Sequence, residues 1–225
     1  MTVKPILFNT DMVRAILDGR KSCTRRLVKT RSKDACGFYV TKKSDGSFAG
    51  IYEYDENESM FDNPLMPPYQ FGDILYVRET YTAWHLPHGE FLYLYKATSP
   101  NGDTRPTSAE RDCEIEKRSW HPSIHMPKEA ARIWLKVTNV KVERLQEITN
   151  NDVIKEGCEG VRCDHSNRDV YGCTDCMNTG WLEPPLLDFL LTWNSTIKKS
   201  DLDRYGWDAN PWVWGFEFER CKKPE

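Results

Sequence analysis

The sequence predicts an α+β fold in which short strands, interrupted by short helices, form a small β-barrel. Apolar and polar residues alternate in several stretches, as half-buried strands require. The helical stretches between them are short, so a doubly wound parallel sheet is not expected. The 225 residues are 39% hydrophobic, which suits one globular domain over residues 1–225.

The first half of the chain contains one predicted helix, over residues 10–19. Thr10 or Asp11 can cap its N-terminus, and Gly19 lies just beyond its C-terminus. Its inner face is predicted to consist of Met12, Val13, Ile16 and Leu17. Strands are predicted over residues 74–79 and 91–97.

The second half continues with strands and two more short helices. Alternation over 133–137 resumes out of phase at Val140, so we expect a bulge or turn at Thr138-Asn139. Helices are predicted over 149–156 and 185–194. The inner face of the latter is predicted to be Leu186, Leu187, Leu190 and Leu191. The last strand has one aromatic face, formed by Trp212, Trp214, Phe216 and Phe218.

Composition excludes several classes of protein. A net charge of −3 and a pI of about 6.0 argue against a protein that coats nucleic acid without specificity. No apolar run approaches the ~18 residues of a membrane span, and the N-terminus does not resemble a signal peptide. We therefore expect a cytoplasmic protein without membrane contact. Because that compartment is reducing, its clustered cysteines are expected to bind metal rather than to form disulfides.

A basic motif, Gly19-Arg-Lys-Ser-Cys-Thr-Arg-Arg26, follows the first helix. Its simplest interpretation is a solvated basic loop, because runs of charge usually face water. The functional interpretation is an anion or nucleobase site. A desolvated Lys21 could act as a base toward the Thr24 hydroxyl, and Arg26 could bind a phosphate or a base edge.

This motif resembles the signature of the ASCH domains, which belong to the PUA-like fold. Further segments resemble a larger, phage- and prophage-borne branch of that family. They are Phe71-Gly-Asp-Ile-Leu-Tyr-Val-Arg-Glu79, Trp120-His-Pro-Ser-Ile-His-Met-Pro127, Arg144-Leu-Gln-Glu-Ile148 and Asn210-Pro-Trp-Val-Trp214. The resemblance covers residues 4–30, 69–82, 120–157 and 184–220. It implies a PUA-like barrel with loop insertions at about 31–68 and 98–118 and a Cys-rich insertion at 158–182.

The family includes small amidohydrolases that remove the acetyl group of N4-acetylcytidine, and their site implies Lys21, Thr24 and Glu156 here. Lys21 would take the Thr24 proton, and Thr24 would attack the amide carbonyl. Glu156 would protonate the leaving amine and then activate water. The resemblance matches Arg26 to the last arginine of the motif and Ser22 to its first threonine. Arg26 or a backbone N–H would stabilise the oxyanion.

Other members of the family imply alternatives. A non-catalytic module could bind RNA or a modified base, and an ion pair between Lys21 and Glu156 would suit such a pocket. A nuclease has weaker support, because no paired-carboxylate metal site stands out. The implied partner is therefore a nucleoside or an RNA with a modified base.

Three further residues are candidates for substrate binding. Trp120 and His125 lie in a Pro-bounded loop, where an aromatic ring could stack on a base or pack against the barrel. Arg78 lies at a strand end, where it could reach the pocket or pair with Glu79.

A cysteine cluster predicts a structural zinc site. Cys173 and Cys176 have the Cys-x-x-Cys spacing of a zinc knuckle, and Cys163 is the natural third ligand. The fourth ligand is either His165 or Cys158, and we favour His165. A closed site with four protein ligands leaves no position for water, so the metal would be structural. The alternative is a set of free thiols in a loop.

Overall fold

The computed structural model describes residues 2–44, 48–86, 89–99, 103, 119–165, 173, 177 and 179–224. The chain divides into two compact units. The first comprises Met1–Ser22, Gly72–Val137 and Phe218–Glu225, and the second comprises Cys23–Phe71 and Thr138–Glu217. The single domain with insertions stays a prediction, and most of the predicted loop 98–118 lies outside the described residues.

Strands dominate the described residues, and the helices are short. Numbered in chain order, the strands are β1 (Val3–Leu7), β2 (Cys23–Leu27), β3 (Gly37–Lys42), β4 (Phe48–Tyr54), β5 (Ile74–Arg78), β6 (Tyr81–His85), β7 (Phe91–Tyr95), β8 (Trp134–Arg144), β9 (Val161–Arg162), β10 (Trp181–Glu183) and β11 (Trp212–Cys221). The α-helices are α1 (Thr10–Leu17), α2 (Asn150–Lys155), α3 (Pro185–Thr196) and α4 (Leu202–Tyr205).

The largest sheet has the strand order β1-β5-β8-β11-β2, and β3-β4, β6-β7 and β9-β10 form separate two-stranded sheets. The predicted α+β class, with many strands and short helices, is confirmed. In the part of the chain that the structure describes, β1 and β2 are edge strands and the sheet does not close into a barrel.

In the first unit, β1 runs parallel to β5, which pairs antiparallel with the start of β8. Helix α1 begins after Asn9, whose side-chain oxygen accepts a hydrogen bond from the Met12 backbone N–H at 2.8 Å. Asn9 is therefore the N-cap, one position before the predicted Thr10. Gly19 has φ +78°, which confirms its predicted place just beyond the helix.

In the second unit, β2 pairs antiparallel with β11. Two apolar clusters form its core. One contains Leu145, Val153, Cys158, Phe189, Trp193 and Val213, and the other Val28, Ile51, Leu65, Trp214 and Phe216. Because successive side chains of β11 enter different clusters, this strand is buried on both faces. Its predicted aromatic face is therefore only one of two core faces.

Helix α3 departs from the prediction for its inner face. Phe189 and Trp193 are buried, whereas Leu186, Leu187 and Leu191 are 36%, 40% and 59% exposed. The helix carries apolar residues on more than one face, so leucine spacing alone could not show which face packs. The large aromatic pair, spaced i, i+4, fills the core.

Strand β8 runs without interruption from Trp134 to Arg144, so Thr138-Asn139 is not a turn, and the predicted alternative of a bulge stays a prediction. Glu53, within the predicted loop insertion at about 31–68, lies in β4 and is 2% exposed. Its Oε1 accepts backbone hydrogen bonds from Arg31 at 2.6 Å and Ser32 at 3.3 Å, which compensate for burial of the carboxylate.

Candidate functional site

Strand β2 carries most of the basic motif, and its alternation separates the motif residues onto two faces. Thr24 and Arg26 share one face, whereas Arg25 lies on the other. In the ladder with β11, Thr24 is opposite Phe216 and Arg25 is opposite Gly215. Thr24 is 1% exposed and Arg25 3% exposed. These two side chains are therefore not part of a solvated loop.

Arg25 is the centre of a buried ion network in the second unit. Its Nε donates to Glu143 Oε1 at 2.9 Å, and its Nη1 donates to Glu156 Oε1 at 3.2 Å. Its Nη2 lies 2.7 Å from Glu143 Oε1 and 3.4 Å from Asp152 Oδ2. The N–H groups of Nη2 are not aligned for hydrogen bonds with described residues, so these two contacts are ion pairs.

Lys141 adds a second cation to this network. Its Nζ lies 2.9 Å from Glu143 Oε2 and 3.6 Å from Asp152 Oδ2. Burial opposes the charged form of Arg25, but Glu156, Glu143 and Asp152 outweigh it and raise the pKa of Arg25. The guanidinium is therefore a permanent cation between the carboxylates.

Helix α2 supplies two of the three carboxylates. Thr149 is its N-cap and forms a capping box with Asp152, as the predicted helix 149–156 requires. Glu156 is the C-cap and is 7% exposed. Burial would raise the pKa of Asp152, but hydrogen bonds from Thr149 and the charges of Lys141 and Arg25 lower it overall.

The opposite face of β2 contains Arg26 beside Tyr69. Burial lowers the pKa of Arg26, and the charges of Glu156 and Tyr69 oppose this effect. Burial also raises the pKa of Tyr69, against the influence of Arg26. The Tyr69 ring packs edge-on against Phe216, with centroids 5.1 Å apart. The charge state of Arg26 is thus coupled to both Tyr69 and Glu156.

Gly215 provides the space that the ion network needs. A Cβ atom at this position would lie 3.0 Å from Lys141 Cγ and 3.1 Å from its Cε. It would also lie 3.6 Å from Glu143 Oε1. A larger residue opposite Arg25 would therefore displace the side chains that surround the guanidinium.

Lys21 and Ser22 belong to the first unit. Lys21 is 3% exposed, and its Nζ lies 5.5 Å from the centroid of the Phe8 ring. Its backbone N–H donates to Ala15 at the end of α1, at 2.9 Å. The backbone carbonyl of Ser22 accepts from Phe218 at 2.9 Å. Lys21 is thus a buried side chain that lies just before β2 in the chain.

The remaining predicted binding residues also lie in the first unit. Arg78 donates from Nε to the Met126 carbonyl at 2.8 Å and from Nη2 to the Ile124 carbonyl. It therefore fixes the Pro-bounded loop rather than pairing with Glu79, which binds Arg132. In that loop, His125 is exposed and Trp120 is partly buried.

Cys163, His165 and Cys173 form a group that could hold a metal ion. Their ligand atoms all lie within 4.8 Å of one another, and the two Sγ atoms are 3.8 Å apart. Two thiolates of a tetrahedral zinc site, each ~2.3 Å from the metal, are ~3.8 Å apart. A disulfide would need ~2.05 Å, and both cysteines are free thiols.

The neighbouring backbone supports this metal group. Strands β9 and β10 form a short antiparallel pair, and Cys163 N–H donates to Gly180 at 3.2 Å. Cys158 packs in the apolar core with Val153 and is not part of the group, so His165 is the better of the two predicted alternatives. Cys176, the fourth predicted ligand, lies outside the described residues.

Sequence reasoning did not identify Arg25, Glu143, Asp152, Lys141 or Tyr69 as site residues. Two signals for the network were present in the sequence. Lys141 and Glu143 are charged residues that alternate with valines in a strand, and Thr149 with Asp152 has capping-box spacing. Neither signal shows that these residues meet Arg25, which is more than 100 positions away.

No family model, curated protein or solved structure matches this chain. Within the residues that the structure describes, none of the helices has the length and apolar character needed to span a membrane.

Proposed function

We propose that this chain is an amidohydrolase of ASCH type and PUA-like fold that acts on an N4-acylated cytidine or a related modified nucleoside. The observation that supports it most is the burial of Thr24 and Glu156, which are 1% and 7% exposed and belong to the same unit. Arg26 shares a face of β2 with the buried Thr24. A hydroxyl, a carboxylate and a cation are the groups that acyl transfer through a covalent intermediate needs.

The proposed reaction has two steps. Lys21, as the free amine, takes the Thr24 proton while Thr24 Oγ1 attacks the amide carbonyl, and Arg26 stabilises the oxyanion. Collapse breaks the C–N bond, and the leaving amine takes a proton from a general acid, Glu156 or protonated Lys21. Water then attacks the acyl-threonine with Glu156 as general base, which releases the carboxylic acid. The role of Lys21 rests on the resemblance and on its burial just before β2.

The metal in this proposal is zinc with a structural role. Two thiols and an imidazole with tetrahedral spacing favour zinc, and Cys176 would complete the site. The ion would order the segment after Glu156 and take no part in the reaction. A cytoplasmic location in a bacterial or phage-infected cell belongs to the same proposal, because these thiols need a reducing compartment.

The experiment is incubation of the purified chain with N4-acetylcytidine, with cytidine release followed by chromatography. We expect Lys21→Ala, Thr24→Val and Glu156→Gln each to reduce turnover at least ~100-fold, since nucleophile and acid–base groups contribute on that scale. A matched control is Thr82→Val in β6. Thr82 is 0% exposed, and its hydroxyl has no hydrogen-bond partner among the described residues.

Because both threonines are buried strand residues, the two valine variants change the same atoms in comparable surroundings. Thr82→Val should keep wild-type turnover, whereas Thr24→Val should lose it. Equal activity of Thr24→Val and wild type would exclude Thr24 as nucleophile. No cytidine release from the wild type would reject this substrate, and screening of other N4-acyl groups would then test the wider class.

The second candidate is a non-catalytic module that binds RNA or a modified base. One observation favours it: Glu156 Oε1 is ion-paired with Arg25, whose side chain lies on the other face of β2 from Thr24. A carboxylate that has only a structural role would be expected to form such an ion pair. Binding of an acylated nucleoside or RNA without amine release, unchanged by Thr24→Val, would support this function over hydrolysis.

A further inference from the structure

Arg25 has the contacts expected of a residue that orients a catalytic carboxylate. Its side chain is 1% exposed, and its guanidinium contacts carboxylates from β8 and from both ends of α2. The contact with Glu156 is 3.2 Å between Nη1 and Oε1. The planar guanidinium, anchored by Glu143 through Nε, fixes the direction from which Nη1 meets Glu156.

The network leaves little freedom for this contact. Asp152 is held by Thr149 at the start of α2, and its Oδ2 also lies 3.4 Å from Arg25 Nη2. Arg25 therefore contacts α2 near both ends of the helix, at Asp152 and at Glu156. Gly215 leaves room for the side chains of Lys141 and Glu143, which a Cβ atom there would approach to 3.0 and 3.6 Å. A change at Arg25 should consequently move or release Glu156 rather than only remove one charge.

We propose that Arg25 is a positioning residue that holds Glu156 as an oriented carboxylate and thereby assigns it to the water-activating step. This inference rests on the proposed function. Glu156 Oε1 accepts a hydrogen bond from Arg25 Nη1, which holds the carboxylate in one direction, as a well-placed general base requires. Arg25 itself does not touch the substrate.

The proton balance then assigns the remaining steps. The Thr24 proton passes to Lys21 and from Lys21 to the leaving amine, as the C–N bond breaks and the acyl-threonine forms. Water next attacks the acyl carbon while Glu156 takes its proton. When the bond between the acyl carbon and Thr24 Oγ1 breaks, Glu156 returns that proton to Thr24 Oγ1. The carboxylic acid product then loses its own proton to solvent.

The test is a kinetic comparison of Arg25→Met and Arg25→Lys with the wild type. We expect Arg25→Met to slow deacylation at least ~10-fold, because a general base contributes ~10²–10⁴-fold when it is correctly placed. Acyl-threonine should then accumulate, visible as one added acyl group in the mass spectrum and as a burst of amine. KM for the nucleoside should fall or stay constant, and Arg25→Lys should restore part of the rate.

The matched control is Arg132→Met. Arg132 forms a bidentate pair with the buried Glu79, with both N···O distances 2.9 Å, in the first unit. Loss of this pair should lower stability without a burst or an acyl adduct. If Arg25→Met folds poorly, Glu143→Gln provides a second variant, because it weakens the anchor of Arg25 and leaves the guanidinium in place.

The outcomes separate this inference from the proposed function. No amine release by the wild type overturns both. Two outcomes overturn only the role of Arg25, provided that the wild type releases amine. In one, Arg25→Met and the wild type deacylate at the same rate; in the other, Arg25→Met slows acylation and deacylation equally. A double-mutant cycle of Arg25→Met and Glu156→Gln, measured as changes in the unfolding constant, should show coupling of ~10-fold or more. Additive effects would also overturn it.

Discussion

At the scale of single residues, Asp152 links the ion network to stability in acid. Its pKa is lowered on folding by Thr149, Lys141 and Arg25, against the effect of burial. Its contribution is therefore complete above the ordinary aspartate pKa of ~3.9 and is lost as pH falls through the lowered value. We expect Asp152→Asn to reduce the free energy of unfolding by ~1–3 kcal/mol at pH 6.

Urea unfolding from pH 6 to pH 3 checks this expectation. The difference between wild type and Asp152→Asn should narrow below about pH 4, because the wild type loses the carboxylate contribution there. Asp62, an exposed carboxylate, provides the control variant Asp62→Asn, whose curve should follow the wild type. A constant difference across this range would contradict the assignment.

Tyr95 makes the corresponding prediction for alkaline conditions. Its hydroxyl donates to the Ala130 carbonyl at 2.6 Å. Burial raises its pKa to about 12, although Arg132 acts in the opposite direction. In the unfolded chain a tyrosine ionises near pH ~10, so the contribution of Tyr95 is complete below that pH and is lost as pH rises toward 12.

We therefore expect Tyr95→Phe to cost ~1 kcal/mol near neutrality through the lost hydrogen bond. Its disadvantage relative to wild type should shrink as the pH approaches 12. Ultraviolet titration of phenolate absorbance provides an independent reading. The wild-type minus Tyr95→Phe difference should show no ionisation below about pH 11, and a transition near pH 10 would contradict the assigned environment.

At the scale of elements, a backbone hydrogen bond from Cys163 to Gly180 links the metal group to the β9–β10 pair. At a free metal concentration ~100-fold above the dissociation constant, binding stabilises by ~2.7 kcal/mol. We expect chelation to lower Tm by ~5–10 °C and the protein as purified to contain one zinc per chain. Cys163→Ser, His165→Ala and Cys173→Ser should each lower the metal content, measured by elemental analysis.

Cys36→Ser is the matched control, because Cys36 is an exposed thiol outside the metal group. It should keep full metal content and the same Tm. Replacement by cobalt should give the visible spectrum of a tetrahedral ion with thiolate ligands, which Cys176→Ser should weaken. Unchanged metal content in Cys173→Ser would refute the site.

At the scale of the whole molecule, the sequence was informative where structure is local. Period-2 alternation predicted the start of β8 and β11, and capping residues predicted α1 and α2, because those signals act within a few residues. The spacing of the cysteines likewise predicted that Cys163 and Cys173 lie close together, as they do in the structure. Cys163 and Cys173 are only 10 positions apart in the chain, so their spacing is a local signal.

The ion network could not be predicted in the same way. Arg25, Glu143 and Glu156 meet through β2, β8 and α2, and their pairing depends on how distant segments pack. The sequence shows a charged residue in a strand but not the carboxylates that compensate for its burial. The prediction for the inner face of α3 was wrong for the same reason, because Phe189 and Trp193 pack against residues that are distant in the chain.

Because the Cys163 and Cys173 sulfur atoms are 3.8 Å apart, we expect this thiol pair to be sensitive to oxidation by air when no metal is bound. If the metal is lost, dissolved oxygen can remove two electrons and two protons from this thiol pair and join the sulfurs covalently. Such material would lack two of the three described side chains that could bind a metal ion. Added zinc would restore it only after a reductant had cleaved the new bond.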